Sequence, residues 1–332
     1  ALREIYIDNL GDATAYNSFI KSIPGMDIDN NLEEENYYAV AKAKYDVGEW
    51  ASAIEKYTFY LSNYPRGFRA PKARYERAES YYSNKQYDDA YGDIKEIIAD
   101  NEEVYLERAL ELALLISYDY KKDFAAAYDF AQKLNETTFN SMLKTKAQNY
   151  GLVAAYKIGN TTGVSEMARL LKDNPDAEDR YKVKAQHFLG KLAFENTDYG
   201  TALKAFQEVL DAPNADDRAE AMYLIAEIYY KQGKLEQSGT VIDEIFNNGS
   251  NYFYTEKALL LLANISIDNG DYYTAEAALE ALIENYSDDE SDPKHLDEAK
   301  EKLKKVKDLI NQNSRVEDEE ELQFDNDDDG GN

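Results

Sequence analysis

The feature that most constrains this chain is a repeat of about 37 residues. Seven segments in which a turn runs into a large, mostly aromatic residue occupy equivalent places: Gly48-Glu49-Trp50, Lys85-Gln86-Tyr87, Lys122-Asp123-Phe124, Gly159-Asn160-Thr161, Thr197-Asp198-Tyr199, Gly233-Lys234-Leu235 and Gly270-Asp271-Tyr272. Counted from these turns, the repeats begin at residues 34, 71, 108, 145, 183, 219 and 256, in steps of 37, 37, 37, 38, 36 and 37. A period this regular over residues 34–286 predicts a solenoid of stacked supersecondary units, not two separate globular cores.

Each unit reads as helix, short turn, helix. Apolar residues recur at helical spacing on both sides of the turn. Glycine at the turn suits a left-handed C-terminal cap. Asp123, Asn160, Asp198 and Asp271 stand where a side-chain oxygen caps the second helix. Pro65, Pro175 and Pro213 mark where that helix stops, because proline cannot continue it. The eighth residue of each unit is mostly small: Ala41, Ala78, Leu115, Leu152, Gly190, Ala226 and Ala263. So is the twentieth: Ala53, Ala90, Ala127, Val164, Ala202, Ser238 and Ala275. Small residues there let the two helices of a hairpin approach closely. Bulky ones flank them at position 17 (Trp50, Tyr87, Phe124, Tyr199, Tyr272) and position 24 (Tyr57, Ile94, Phe206, Ile242, Leu279).

The small-at-8, aromatic-at-17, small-at-20, bulky-at-24 pattern resembles the tetratricopeptide repeat family over residues 34–286, with the fourth repeat the poorest match at Thr161 and Val164. The resemblance implies an all-α fold, a right-handed superhelical solenoid closed by a C-terminal cap helix. The junction from Asn63-Tyr64-Pro65 to Ala73, with the abundance of Tyr, Asn and Asp, is similar to repeat arrays of bacterial envelope proteins of Bacteroidetes type. It implies a periplasmic or outer-membrane-associated protein; the absence of cysteine fits cytosol and periplasm alike.

Outside the seven units, residues 1–33 read as a partial, degenerate repeat. A chain that opens on Ala1 inside a repeat is expected to be the C-terminal part of a longer array. Leu296, Ala299, Leu303, Val306 and Leu309 form one apolar stripe, which predicts a cap helix over 294–313. Residues 314–332 read as an acidic, disordered tail. Asp325–Gly330 has the spacing of half a calcium loop but lacks its closing glutamate and its second helix, so no metal site is expected there.

Composition narrows the function. With 37 Lys+Arg against 65 Asp+Glu the net charge is −28, a field that repels nucleic-acid backbones. No apolar run reaches the ~20 residues that span a bilayer, so no direct membrane insertion is expected. The two histidines, His187 and His295, are far apart in sequence. No phosphate loop or nucleophile–base pair stands out, so the reading is not an enzyme, with no cofactor and no metal.

The family resemblance turns positions 2, 5, 9, 12 and 13 of each first helix inward. Position 5 carries Tyr38, Tyr75, Leu112, Asn149, His187, Tyr223 and Leu260. Position 12 carries Tyr45, Tyr82, Asp119, Tyr156, Phe194, Tyr230 and Ile267. Two roles are open to these aromatics: lining a partner-binding surface, or packing between repeats. The candidate partner-binding residues are Tyr38, Lys42, Tyr45, Tyr75, Tyr82, Tyr156, His187, Phe194, Tyr223 and Tyr230, because tyrosine offers wide contact and a polar tip at low entropic cost. The carboxylate clamp of chaperone-binding members is absent, since Tyr38, Lys42, Glu76 and Glu79 fill its first places. The expected function is a protein-interaction scaffold holding a peptide or helix of a partner protein, as part of a larger envelope protein. The alternative is a glycan-binding protein of the outer surface, in which aromatic platforms stack on sugar rings.

Overall fold

The fold is taken from a computed structural model, which describes residues 2–26, 28–211, 214–248, 251–287 and 292–328, except the side chains of residues 8, 248 and 314–328. Among the described residues there are helices and no strands. Two compact units divide the chain, Ala1–Ala177 and Glu178–Asn332.

The first unit opens with α1 (Leu2–Glu4), a π-helical segment (Ile5–Asn9) and α2 (Ala13–Lys21). Four hairpins follow: α3 (Asn30–Asp46) with α4 (Trp50–Asn63), α5 (Ala70–Ser83) with α6 (Tyr87–Ala99), α7 (Glu103–Leu115) with α8 (Phe124–Thr137), and α9 (Ser141–Lys157) with α10 (Thr161–Asp173). A second π-helical segment, Ile116–Lys121, extends α7. First helices pack on first helices, α3 on α5, α5 on α7 and α7 on α9.

The second unit holds α11 (Asp179–Glu195) with α12 (Tyr199–Val209), α13 (Ala215–Lys231) with α14 (Leu235–Asn248), and α15 (Tyr252–Asp268) with α16 (Tyr272–Glu284). Here α11 packs on α13 and α13 on α15. The last described helix, α17 (Pro293–Asp328), lies on α15 and α16 and buries Ala299 and Val306 of the predicted stripe. His295 Nδ1 lies 2.7 Å from Glu256 Oε2, which joins the start of α17 to α15. The backbone of residues 314–328, expected to be unstructured, continues α17, while residues 329–332 lie outside the described residues.

The pattern of small and bulky residues is the packing of the hairpins. Every position-20 residue is fully buried, and so are Tyr57, Ile94, Phe206, Ile242 and Leu279 at position 24. Gly190 shows how tight the position-8 contact is: a Cβ there would lie 2.8 Å from Cε1 of Phe206 and 3.0 Å from Cβ of Ala205. The Phe206 ring and Ala205 therefore stand too close to position 190 for any side chain there.

The expected caps form. Asp123, Asn160, Asp198 and Asp271 accept from the backbone N–H of Ala126, Gly163, Thr201 and Thr274 at 2.9–3.1 Å. The left-handed turn residue is glycine in four repeats, but Lys85, Lys122 and Thr197 take it in the other three, with φ of 62°, 53° and 60°. Hairpin packing holds these side chains in a conformation that costs roughly 1–2 kcal/mol for a non-glycine residue.

The third repeat departs from the sequence reading. A π-helical turn holds one residue more than an α-helical turn, so every residue of α7 upstream of Ile116 moves back by one place. Leu114, not Leu115, is the fully buried position-8 residue, and Leu115 is half-buried. Ala109, Leu112, Leu114 and Ile116 are buried as their counterparts Ala73, Glu76, Ala78 and Ser80 are in the second repeat, 36 residues earlier. Position 5 of this repeat is therefore Glu111 and position 2 is Arg108.

Candidate functional site

Within each unit the first helices of consecutive repeats lie side by side, and the inward positions of the sequence reading meet between them. Within the first unit the contact is a set of phenol–carboxylate hydrogen bonds. Tyr38 and Tyr57 both donate to Glu76 Oε2, at 2.6 and 2.7 Å. Tyr45 and Tyr75 both donate to Glu79, each at 2.6 Å. Burial first, and then the adjacent carboxylates, push the hydroxyls of Tyr38, Tyr57, Tyr45 and Tyr75 far above their ordinary range. They remain protonated donors.

This geometry corrects part of the expected site. Tyr38, Tyr75, His187 and Tyr223 are 4, 6, 2 and 8% exposed, so their rings pack between helices. For the tyrosines the physical reason is that a carboxylate on a neighbouring turn or helix satisfies the polar tip, which removes the main cost of burying it. Tyr38 reaches Glu76 across repeats, and Tyr75 reaches Glu79 one turn along its own helix. In the second unit Tyr223 is raised by burial and then by Glu227. His187 packs edge-on to Phe206, its ring nitrogens 3.4 Å from Asp217 and 3.3 Å from Glu220 of α13. Lys42 is drawn into ion pairs with Asp46 and Glu76. The position-12 residues Tyr45, Tyr82, Tyr156, Phe194 and Tyr230 are half-buried, with one edge on the surface. Tyr230 donates to Asp268 on α15 at 2.7 Å.

One cavity of about 220 Å³ opens on this face of the first unit. Its walls are Tyr75, Glu79, Tyr82 and Ser83 of α5, and Arg108, Glu111, Leu112 and Leu115 of α7. These are positions 5, 9, 12 and 13 of the second repeat against positions 2, 5, 6 and 9 of the third, once the π-turn is counted. Two expected residues, Tyr75 and Tyr82, lie in it. Sequence reasoning missed Arg108, Glu111 and Leu115 as its lining, because the turn-based count put each of them one place off. The signal that finds them is the burial pattern of α7. The cavity combines an apolar side (Leu112, Leu115), tyrosine walls and an exposed guanidinium. It is sized for one large side chain of a ligand, not for a cofactor.

Two further features bear on chemistry. No group of three or more His, Asp or Glu side chains among the described residues is arranged to hold a metal ion. No helix is long and apolar enough to cross a membrane, again among the described residues.

The comparisons with known proteins fall in line with this architecture. Residues 38–101 and 189–249 match one tetratricopeptide repeat model, and residues 257–289 match a second. Among solved structures, the C-terminal part of a TPR repeat-containing protein from Cytophaga hutchinsonii is similar with a TM-score of 0.51 and 18% identity, over 77% of this chain and 97% of that one. A tetratricopeptide repeat protein from Parabacteroides merdae aligns over 82% of this chain and 98% of its own, at 13% identity and a TM-score of 0.43. No curated protein matches the sequence. Repeat models match in both units and the helical hairpins follow the pattern repeat by repeat, so the chain carries tetratricopeptide repeats in each unit.

Proposed function

We propose that the chain is a non-catalytic protein-interaction scaffold, which holds a peptide or helix of a partner protein against its first helices. The observation that carries this reading is the cavity between α5 and α7. All its lining residues but Leu112 stand at inward positions of two adjacent repeats, and it offers a hydrophobic seat beside polar groups that fix orientation. The presence of repeats of a family that generally serves as scaffold supports it. The half-buried tyrosines at position 12 extend the same kind of surface along α3, α5 and α9, and along α13 in the second unit.

Selection of a random-peptide display library on the whole chain tests the reading. Retained peptides are expected to protect the amides of α5 and α7 from hydrogen exchange and to leave α6 and α8 unchanged. Tyr82→Ala and Leu115→Ala are expected to weaken the best of them by about tenfold each, the loss of a well-packed contact. Circular dichroism should stay helical. Failure to enrich any peptide, or protection confined to second helices, would sink the reading.

The reading extends to location. The Tyr64-Pro65 junction and the composition support a place at a bacterial cell envelope, in the periplasm or at the outer membrane. Fractionation of cells expressing the tagged full-length gene product checks this, and recovery in the cytosol alone would refute it.

A further inference from the structure

Position 2 of the first helices carries a pattern of charge. With the third repeat corrected for its π-turn, the residues are Glu35, Lys72, Arg108, Lys146, Lys184, Glu220 and Lys257. Five of the seven are basic, in a chain with 37 Lys+Arg among 332 residues and a net charge of −28. Three of them, Lys72, Arg108 and Lys146, stand on α5, α7 and α9, which pack side by side in the first unit.

Their surroundings put positive charge outermost. Glu76 lies beneath, 5% exposed, and accepts two phenols. Glu79 accepts two more, and Glu111 is bonded by Lys146 at 2.5 Å. Glu76 and Glu79 are thus engaged from within, and Glu111 is engaged by Lys146 of the row itself. Arg108 is exposed at the mouth of the cavity beside the stacked rings of Tyr75 and Tyr105, and it makes no ion pair among the described residues. Lys72, 4.0 Å from Glu76, keeps 37% of its side chain exposed, and Lys146, paired with Glu111, keeps 35%. In the second unit Lys184 and Lys257 hold the same position on α11 and α15, with Glu220 between them on α13; neither lysine forms an ion pair among the described residues, and Lys257 lies 4.0 Å over the ring of Tyr223. Burial holds both amines below the ordinary lysine range, so each is short of compensating negative charge.

Packed helices lie about 8–10 Å apart, and a peptide in the polyproline II conformation makes one turn in three residues and advances about 9 Å, so that every third side chain faces the same way. We infer that Lys72, Arg108 and Lys146 form a ladder for an acidic segment of a partner protein held in that conformation, whose carboxylates recur at every third residue and one of whose apolar side chains enters the cavity between Tyr82, Leu112 and Leu115. The guanidinium of Arg108 takes a carboxylate in bidentate fashion, while the two lysines act as point charges on either side. Selectivity arises from spacing, because carboxylates at other intervals meet Glu111 or Glu79 instead of the cations. This rests on the scaffold reading and names the chemistry of the partner it holds.

The test uses the whole chain and a labelled peptide of about twelve residues with Glu at every third place, Leu and Ser between, and both ends blocked. Binding is expected, weakening strongly between about 0.05 and 0.3 M salt. Gln in place of each Glu, or the same Glu residues moved to every second place, is expected to weaken it at least tenfold. Arg108→Gln should cost about tenfold by itself, and the triple variant Lys72→Gln/Arg108→Gln/Lys146→Gln should abolish binding with its helical circular dichroism intact. Equal binding of the Gln peptide overturns the inference, as does binding that requires a free terminal carboxylate. So does single-stranded DNA that competes for the same face at equal strength. If display-selected peptides protect α5 and α7 while the acidic peptide does not bind, the ladder fails and the scaffold reading stands. If neither binds, both fail.

Discussion

Glu76→Ala is expected to cost the first unit about 3–5 kcal/mol, the range for breaking a buried, hydrogen-bonded charge cluster by removing one partner. The carboxylate is 5% exposed and accepts from Tyr38 at 2.6 Å and from Tyr57 at 2.7 Å. Tyr57 is fully buried and Tyr38 nearly so. Each hydroxyl left without an acceptor costs about 1–3 kcal/mol. Lys42, 3.7 Å from Glu76, loses part of its compensation as well. Since Tyr38 and Tyr57 come from the first repeat and Glu76 from the second, the loss falls on the contact between repeats. Native-state hydrogen exchange should therefore show α3 and α4 opening independently of α5 and α6 in the variant, where they open together in the parent chain. Glu76→Gln keeps an acceptor for the phenols and is expected to lose less than half as much. Equal losses for Ala and Gln would show that the charge, not the acceptor, is what the tyrosines require.

The reach of sequence reasoning follows from how far apart the deciding residues are. Positions 8, 20 and 24 were legible because each meets its counterpart within one hairpin, so its size is dictated a few helical turns away. The capping aspartates and Asn160 were legible for the same reason. The fate of the position-5 tyrosines was not legible. Whether Tyr38 faces solvent or is sealed depends on Glu76, 38 residues later and recognisable as its acceptor only once α3 lies on α5. Composition at one position could not separate a binding residue from a packing one; Tyr38, His187 and Tyr223 are buried between helices, and Tyr75 is buried there and walls the cavity as well. The third repeat hid its lining residues for a different reason. Its turn is in step with the others, but Ile116–Lys121 takes up one residue as a π-helix, which no spacing of apolar residues announced. Counting back from the turn set Arg108 at position 1, and the basic row at position 2 was broken at that point. The burial of Ala109, Leu112 and Leu114 restores it.

The second large effect is expected at Arg77, the residue next to Glu76, which turns to the other side of α5. Its guanidinium donates to Asp93 of α6 through Nε at 2.8 Å and Nη2 at 2.7 Å, a bidentate pair with side chains 17 and 7% exposed. Burial raises the Asp93 carboxyl above the usual carboxylate range, and Arg77 opposes that rise. In Arg77→Met the methylenes still pack, but Asp93 faces a desolvated site with no donor. The expected loss at pH 7 is about 3–5 kcal/mol. The sign of its pH dependence is fixed by the direction of the shift. With the opposing cation gone, the folded-state pKa of Asp93 rises further above its unfolded value, so the folded chain binds a proton more readily than the unfolded one. The stability associated with that proton is fully present below the ordinary Asp value and is lost as pH rises through the raised folded value. The deficit relative to the parent chain is therefore small near pH 4 and grows toward pH 7, in a denaturant titration followed by far-ultraviolet circular dichroism. Arg77→Met/Asp93→Leu, which removes both charges and fills the space, is expected to recover most of the loss and to have no such dependence. A deficit of equal size at pH 4 and pH 7 in the single variant would mean that Arg77 acts through packing of its stem, and that Asp93 finds solvent or another donor when the guanidinium is gone.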